Sequence, residues 1–353
     1  MTSHDPSDPS ALADRGAADR RAGRYPAALR RLRQALELYR QVGNVRGQAD
    51  TLVEIGVARS VIGESRGALA ALTTARDLFK ELGDRAGSAR ALDALGAAQH
   101  LIGDYPAAAI NFRAARDLYQ EQGDRRGEAS ATKNLGVAYY RTGRYPPALA
   151  ELALAAGLYA GAGDRLGAAT TAKHLGVVQG LTGDYTAARD TLLEALDAYV
   201  SLGSRLGEVN ALNCLAAVDL AVRDLPAARE RLGRALGLAR DLRYPVGEAD
   251  SLRDLGVVYH LSGEHTTAVI ALFEAATLFR KADDKLGLAE ALNRVAPALH
   301  ELGRDMEAVD AYREAFELAQ VTGGRVEEER AQEGLALLER PLSDRYRGWR
   351  PSG

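Results

Sequence analysis

Residues Gly83-Asp84-Arg85-Ala86-Gly87 return forty residues later as Gly123-Asp124-Arg125-Arg126-Gly127, and again as Gly163-Asp164-Arg165-Leu166-Gly167. The same interval governs the rest of the chain. Gly23, Gly63, Gly103, Gly143, Gly183, Gly263 and Gly303 lie on one grid, interrupted only by Arg223. Gly47, Gly87, Gly127, Gly167, Gly207, Gly247 and Gly287 lie on a second, and Gly56, Gly96, Gly136, Gly176 and Gly256 on a third, with Ala216 and Ala296 in its gaps. Alanines from Ala28 to Ala308 keep the register, and no insertion or deletion disturbs it. A fixed period of this length marks a repeat architecture, in which each unit buries its apolar face only against its neighbours.

Within one period the apolar spacing is helical. Ala91, Leu92, Leu95 and Ala98 share one face of the segment 88–102, and Ala108, Phe112, Ala115, Leu118 and Tyr119 share one face of 106–122. Between them, Gly103-Asp104-Tyr105-Pro106 places a helix-ending Gly before a Pro suited to the first turn of the next helix. In the Gly-Asp-Arg connector the Gly stops the second helix, and the Asp is placed to cap the helix that follows. Each period is therefore a helical hairpin, and the chain is expected to be all-α and more than about 70 % helical, well above the ordinary globular share.

Composition agrees and excludes several function classes. Gly is 36 of 353 residues and aromatics only 6 %, so the core rests on Ala and Leu, residues suited to closely packed helices. The single cysteine, Cys214, excludes an internal disulfide framework and a Cys-rich metal site. A net charge of −3, from 45 basic and 48 acidic residues, gives no reason to expect nucleic acid. The segment from Met1 to Pro6 lacks a basic start and an apolar run, so no secretory signal is expected. The longest uncharged apolar-rich stretch, Leu152 to Gly163, is 12 residues, against about 20 for a bilayer span. A cytoplasmic protein without membrane contact is the expectation.

These residues resemble the tetratricopeptide repeat. Asn134-Leu135-Gly136, Tyr139, Gly143, Ala148 and Leu152 are similar to the family's packing positions, as are Leu95-Gly96, Ala108, Phe112 and Ala115. The long period and the Gly-Asp-Arg connector are similar to the long-repeat subclass. Kinesin light chains, G-protein-signalling modulators, and the arrays of actinobacterial regulatory ATPases and antibiotic-pathway regulators belong to that subclass. The family's early Trp is replaced by Leu52, Leu92, Thr132 and Ala172, and the Pro near the end of the repeat is absent. The resemblance covers residues 11–326. It implies a right-handed superhelical solenoid of stacked antiparallel hairpins, with the first helix of each hairpin lining the concave face.

The grid sets the boundaries. Residues 1–10 are read as a disordered leader, 11–46 as a partial first hairpin, 47–326 as seven full repeats, 327–339 as a C-terminal capping helix, and 340–353 as a basic flexible tail with four Arg and one Asp. Arg345-Tyr346-Arg347-Gly348-Trp349-Arg350 in that tail combines charge and aromatics, with weak docking on the solenoid or a partner as the functional reading. Arg223 and Arg243 replace both turn glycines of one hairpin, so either a strained left-handed turn or an altered junction is expected there, with a hinge or contact loop as its functional reading.

Chemical motifs are few. Gly63-Glu64-Ser65-Arg66-Gly67 fits the G-x-S-x-G pattern, but a nucleophile elbow needs a preceding strand and this segment follows a helix. No phosphate loop and no H-E-x-x-H occurs. His100, His260 and His300 share one position of the repeat, and only His260 and His300 are close enough in the array to share a metal, without a carboxylate or Cys at ligand spacing. No metal, no cofactor and no catalytic constellation is expected.

The informative variation lies on the face that the resemblance turns inward. It carries Arg90 and Asp93, then Ser130, Lys133 and Asn134, then Thr170, Lys173 and His174. Asn210, Asn213 and Cys214 follow, then Asp250, Arg253 and Asp254, then Glu290, Asn293 and Arg294. Packing positions beside them are uniformly Ala, Leu and Gly. Amides and cations come first and acids after, and Asn can both donate to and accept from the backbone of an extended peptide. The expected function is a non-catalytic protein- or peptide-binding scaffold whose partner segment is acidic or carboxylate-terminated. The alternative is a sensor of a small molecule or signalling peptide that changes curvature on binding.

Overall fold

The computed structural model describes residues 8–346, with side chains described as far as residue 338. Among these residues the chain is all-α, with 17 helices and no strand. It divides into two compact units, Met1–Val178 and Gln179–Gly353. The first holds α1 (Pro9–Arg21), α2 (Tyr25–Gln41), α3 (Val45–Val61), α4 (Ser65–Glu81), α5 (Arg85–Leu101), α6 (Tyr105–Gln122), α7 (Arg125–Arg141), α8 (Tyr145–Gly161) and most of α9 (Arg165–Leu181). The second holds α10 (Tyr185–Ser201), α11 (Arg205–Ala221), α12 (Leu225–Leu242), α13 (Pro245–Leu261), α14 (His265–Lys281), α15 (Lys285–Glu301), α16 (Asp305–Thr322) and α17 (Arg325–Tyr346).

The connectors do what their residues dictate. Asp84 Oδ1 accepts from the Gly87 N–H at 2.9 Å, and Asp124, Asp164 and Asp284 cap α7, α9 and α15 in the same way. The turn glycines take positive φ values of 65 to 86°. Ser65 opens α4 directly after a helix and a turn, so the G-x-S-x-G segment has no strand and no elbow.

Glycines of the other two grids let helices approach. A Cβ at Gly96 would stand 2.8 Å from the Phe112 ring, and one at Gly47 would stand 2.6 Å from the Tyr39 ring. Phe79, Tyr119, Tyr159, Tyr199 and Phe279 repeat the second arrangement over Gly87, Gly127, Gly167, Gly207 and Gly287. Position 239 is Ala, and there Tyr244 in the turn lays its ring on Gly247 instead. From Gly47 to Gly207, and again at Gly287, the ring comes from the preceding helix; at Gly247 it comes from the turn.

Packing also shows which face is inside. In unit one α1 touches α3, α3 touches α5 and α5 touches α7; in unit two α11, α13, α15 and α17 form a similar series. Even-numbered helices make no such contacts with one another among the described residues. Within each unit the odd-numbered helices therefore lie on the tighter, inner side. Two acids of these helices, Asp19 and Asp219, are buried at 3 % and 0 % exposure, and each is held by two arginines: Arg24 and Arg31, and Arg189 and Arg231.

Two boundary readings change, and the open reading of one turn is decided. The first helix starts at Pro9, inside the expected leader, because Asp8 caps it by accepting from the Ser10 N–H at 3.1 Å. The last helix continues to Tyr346, through Pro341, into the expected tail, although an interior proline removes one backbone donor and crowds the carbonyl four residues before it. Residues 1–7 and 347–353, Trp349 included, lie outside the described residues. The Arg223 and Arg243 turns keep the common geometry, at φ 62° and 52°, and Asp283 adds a third non-glycine left-handed residue at φ 55°. Arg243 N–H donates to Arg240 O and Tyr244 N–H to Ala239 O at 3.0 and 2.9 Å, as Gly123 and Asp124 do in their own turn. The junction bears strain rather than changing shape.

A left-handed non-glycine residue costs about 1–2 kcal/mol, while glycine adds about 0.5–1 kcal/mol of unfolded-state entropy. Arg243→Gly and Asp283→Gly are therefore each expected to raise stability by about 0.5–1 kcal/mol in urea unfolding.

Candidate functional site

The inner face of unit one gathers the cations. Lys133 of α7 and Lys173 of α9 are each half-buried. Burial pushes the Lys133 ammonium below its usual range, Lys173 pushes in the same direction, and Asp93 opposes both. Burial raises the Asp93 carboxyl, against a hydrogen bond from Asn134 Nδ2 at 3.4 Å and the attraction of Lys133. His174 follows Lys173 on α9, its ring tilted against Tyr140 with centroids 6.2 Å apart. Burial holds its imidazole far below the usual value, and Lys173, Lys133, Arg141 and His100 all add to the effect. His174 is therefore neutral at pH 7. Beside this group a cavity of about 210 Å³ is lined by Ala97, His100, Leu101, Phe112, Asn134 and Val137. Asn134 belongs to both, so the charged surface continues into an apolar one.

Unit two is built on the opposite balance. The Arg253 guanidinium reaches Asp250 and Asp254 at 3.0 Å and Glu290 at 2.8 Å. Burial raises Asp250 to about 6, with Asp254 and Glu290 adding to the rise and Arg253 opposing it. Burial likewise raises Glu290 against the pull of Arg253, and it lowers Arg294 together with Arg330. The result is an acid-rich cluster whose central cation is already saturated.

The sequence-predicted residues divide accordingly. Asp93, Lys133, Asn134, Lys173 and His174 come together in unit one, and Asp250, Arg253 and Asp254 in unit two. Several others are engaged in joining hairpins. Arg90 pairs with Asp50 at 2.7 Å, and Ser130 hydrogen-bonds Tyr159. Thr170 Oγ1 instead donates within its own helix α9, to Leu166 O at 2.9 Å. Asn210 hydrogen-bonds Tyr244, and Asn213 Oδ1 accepts from Ser251 Oγ at 2.8 Å. Asn293 is 2 % exposed and donates to Glu327 O and Oε2 at 2.9 and 2.7 Å. It packs the last helix and is closed to a ligand. The expected asparagine ladder is thus in large part an internal seam, since an amide reaches the next hairpin as easily as it reaches a guest. Cys214 is half-buried on α11.

Arg141, Tyr140 and His100 went unnoticed as members of the unit-one cluster. Arg141 is two helical turns beyond Lys133 on the same face, so extending the inward stripe to the end of α7 would have found it. The histidines of the shared position turn to their own hairpins. His100 packs edge-on against Tyr105, His260 Nδ1 lies 3.2 Å from His265 Nδ1, and His300 Nδ1 lies 2.7 Å from Asp305 Oδ1. His260 and His300 therefore do not share a ligand, and no group of three metal-binding side chains occurs among the described residues.

Residues 127–199, which include Lys133, Lys173 and His174, match the family model of the tetratricopeptide repeat. The family model covers this stretch of the chain, and the fold as a whole is of the tetratricopeptide-repeat kind. The apo quorum sensor NprR from B. thuringiensis is similar over 87 % of each chain, with 17 % identity and a TM-score of 0.67. A Rap protein complexed with Competence and Sporulation Factor is similar over 95 % of this chain and 98 % of that one, with 12 % identity and a TM-score of 0.60. A signal-transduction ATPase with a tetratricopeptide repeat sensor, from Pyrococcus horikoshii, is similar over 87 % of this chain and 46 % of that one, with 15 % identity and a TM-score of 0.62. At these identities the likeness is one of fold. No curated protein gives a significant match. No helix among the described residues is long and apolar enough to cross a membrane.

The Asp250 carboxyl binds its proton more tightly in the fold than in the unfolded chain. Its protonation thus stabilises the fold below the unfolded value of 3.8, and that contribution is lost as pH rises through about 6. Asp250→Asn is expected to raise stability at pH 7.5 by about 1 kcal/mol, discounted because the side chain is one-third solvated, and to have little effect near pH 4. Urea titrations at the two pH values check this.

Proposed function

We propose that this chain is a non-catalytic regulatory scaffold of the cytoplasm that captures a protein or peptide segment on its odd-helix faces. An acidic or carboxylate-terminated stretch is read in unit one and a basic residue in unit two. The observation that carries this reading is the lysine pair. Lys133 and Lys173 stand one repeat apart on a half-buried surface, and among the described residues neither forms an ion pair. Repelling cations that outnumber their one neighbouring acid, Asp93, disfavour the empty state, and an acidic ligand relieves them. The adjoining 210 Å³ cavity offers room for an apolar side chain next to the acid.

A sensor reading draws support from the fold neighbours. One is a quorum sensor, one is complexed with Competence and Sporulation Factor, and one carries a tetratricopeptide repeat sensor. In that reading the ligand is a small molecule or signalling peptide, and its binding changes the curvature of the array. Small-angle scattering with and without ligand separates the two: a changed radius of gyration supports the sensor, an unchanged one the passive scaffold.

The scaffold reading is tested with fluorescent decapeptides rich in Glu or in Lys. The Glu peptide is expected to bind, and Lys133→Glu with Lys173→Glu to weaken it at least tenfold, about 1.4 kcal/mol, without lowering thermal stability. Unchanged affinity in the folded double variant would remove this face as the site.

A further inference from the structure

Arginines and acids pair freely in this protein, and Arg253 alone holds three carboxylates. The inner face of unit one is different. Among the described residues Lys133, Lys173 and Arg141 form no ion pair with any acid. Asp93 is the one carboxylate that acts on Lys133, and it is engaged by Asn134 at 3.4 Å. Three fixed positive charges thus face one negative charge. Arg141 is exposed at the end of α7 and spans the rings of Tyr105 and Tyr140, at 5.9 and 5.7 Å from their centroids. The rings hold the guanidinium plane while leaving its N–H fork free of carboxylates.

We infer that this face takes a ligand group carrying two negative charges, of the phosphate-monoester type, and that a proton joins His174 when the group binds. The inference rests on the reading of this face as the binding surface. It goes further by assigning the charge and geometry of the group bound. A carboxylate would cancel one of the two excess charges and leave the other on a half-buried lysine. A dianion with three terminal oxygens cancels both, and it offers separate acceptors to two ammonium groups and to a guanidinium fork.

The proton follows from the position of His174. Its surroundings are Lys173 on α9, Lys133, Arg141 and the Tyr140 ring on α7, and His100 on α5. Apart from burial, every influence keeping the imidazole neutral is a cation or a second imidazole. A bound dianion reverses the sign of that field. Since the complex then holds the proton more tightly than the free protein, affinity for the dianion rises as pH falls through the imidazole's bound-state value.

The test uses the full chain and sulfate, a dianion whose charge does not titrate in this range, with formate as the monoanion at equal ionic strength. The His174 imidazole resonance, identified by its loss in His174→Gln, is followed from about pH 5 to about pH 8. Sulfate is expected to raise its midpoint by about one unit or more, a tenfold tighter proton, and formate by less than about a third of that. Lys133→Met with Lys173→Met should abolish the sulfate effect. Arg141→Gln, at an exposed position where folding is not at stake, should reduce it. Equal responses to sulfate and formate, or a response to neither, would overturn the inference. If the Glu-rich peptide still binds in that event, the anionic-groove reading stands alone; if it does not, both fall. A phosphoserine peptide that binds at least tenfold more tightly than phenyl phosphate identifies a modified chain as the source, and equal affinities identify a free phosphate ester. A phosphoserine peptide no tighter than its glutamate counterpart counts against the assignment.

Discussion

Everything in this array depends on an aromatic ring or leucine lying flat on a glycine of an odd-numbered helix. Phe112 sits on Gly96 and Phe79 on Gly87, so that a side chain as small as a methyl would collide. Two contacts per hairpin, one inward to the same hairpin and one forward to the next, fix both the pairing and the stacking. Helices can then approach closely through Ala and Gly, and the core stays a chain of small clusters, with few rings and no broad apolar interior. The forty-residue period is the distance along the chain between successive forward contacts. An insertion within it would move a ring off its glycine.

Most of the fold was legible for that reason. Periodic Gly, Ala and Asp positions each perform a backbone or packing task that tolerates few substitutes, so the residue type reveals the geometry. Legibility failed where a task could be done by other means. Asp283 occupies a left-handed turn with no glycine to announce it, and Pro341 stands inside a helix where a proline ordinarily announces an end. The candidate site was half legible. Lys133, Lys173 and His174 were visible as polar residues on a face otherwise reserved for packing. The asparagines looked the same but belong to the seam between hairpins, as Asn213 does with Ser251. A sequence shows that an amide faces inward, but whether a neighbour already holds it depends on side-chain reach, and that only the folded structure displays.

The two units use one backbone to make opposite electrostatic surfaces. In unit two the acids outnumber the arginine they surround, and the excess appears as a carboxyl with a raised proton affinity at Asp250. On the inner face of unit one Lys133, Lys173 and Arg141 outnumber Asp93, and the excess appears as a lysine and a histidine that bind protons weakly. Neither balance is required by the hairpins, whose packing positions are almost the same in both. The charges are therefore free to vary without cost to the core, as expected where a repeat supplies the frame and the inner face supplies the specificity.

The ring on Gly247 has a consequence for how such a gene can grow. From Gly47 to Gly207, and again at Gly287, the ring that closes a junction is carried by the upstream hairpin, so a forty-residue block taken there can be duplicated by unequal crossing-over and its border still finds its ring. Between Ala239 and Gly247 the ring comes from Tyr244, which belongs to the downstream segment. A second copy of residues 204–243 would place Gly207 against Ala239 with Ser204 where Tyr244 had been, and the new border would enclose a void. Along this one stretch the array is no longer a string of interchangeable beads, and a lineage that carries the relocated ring has lost a place at which to lengthen.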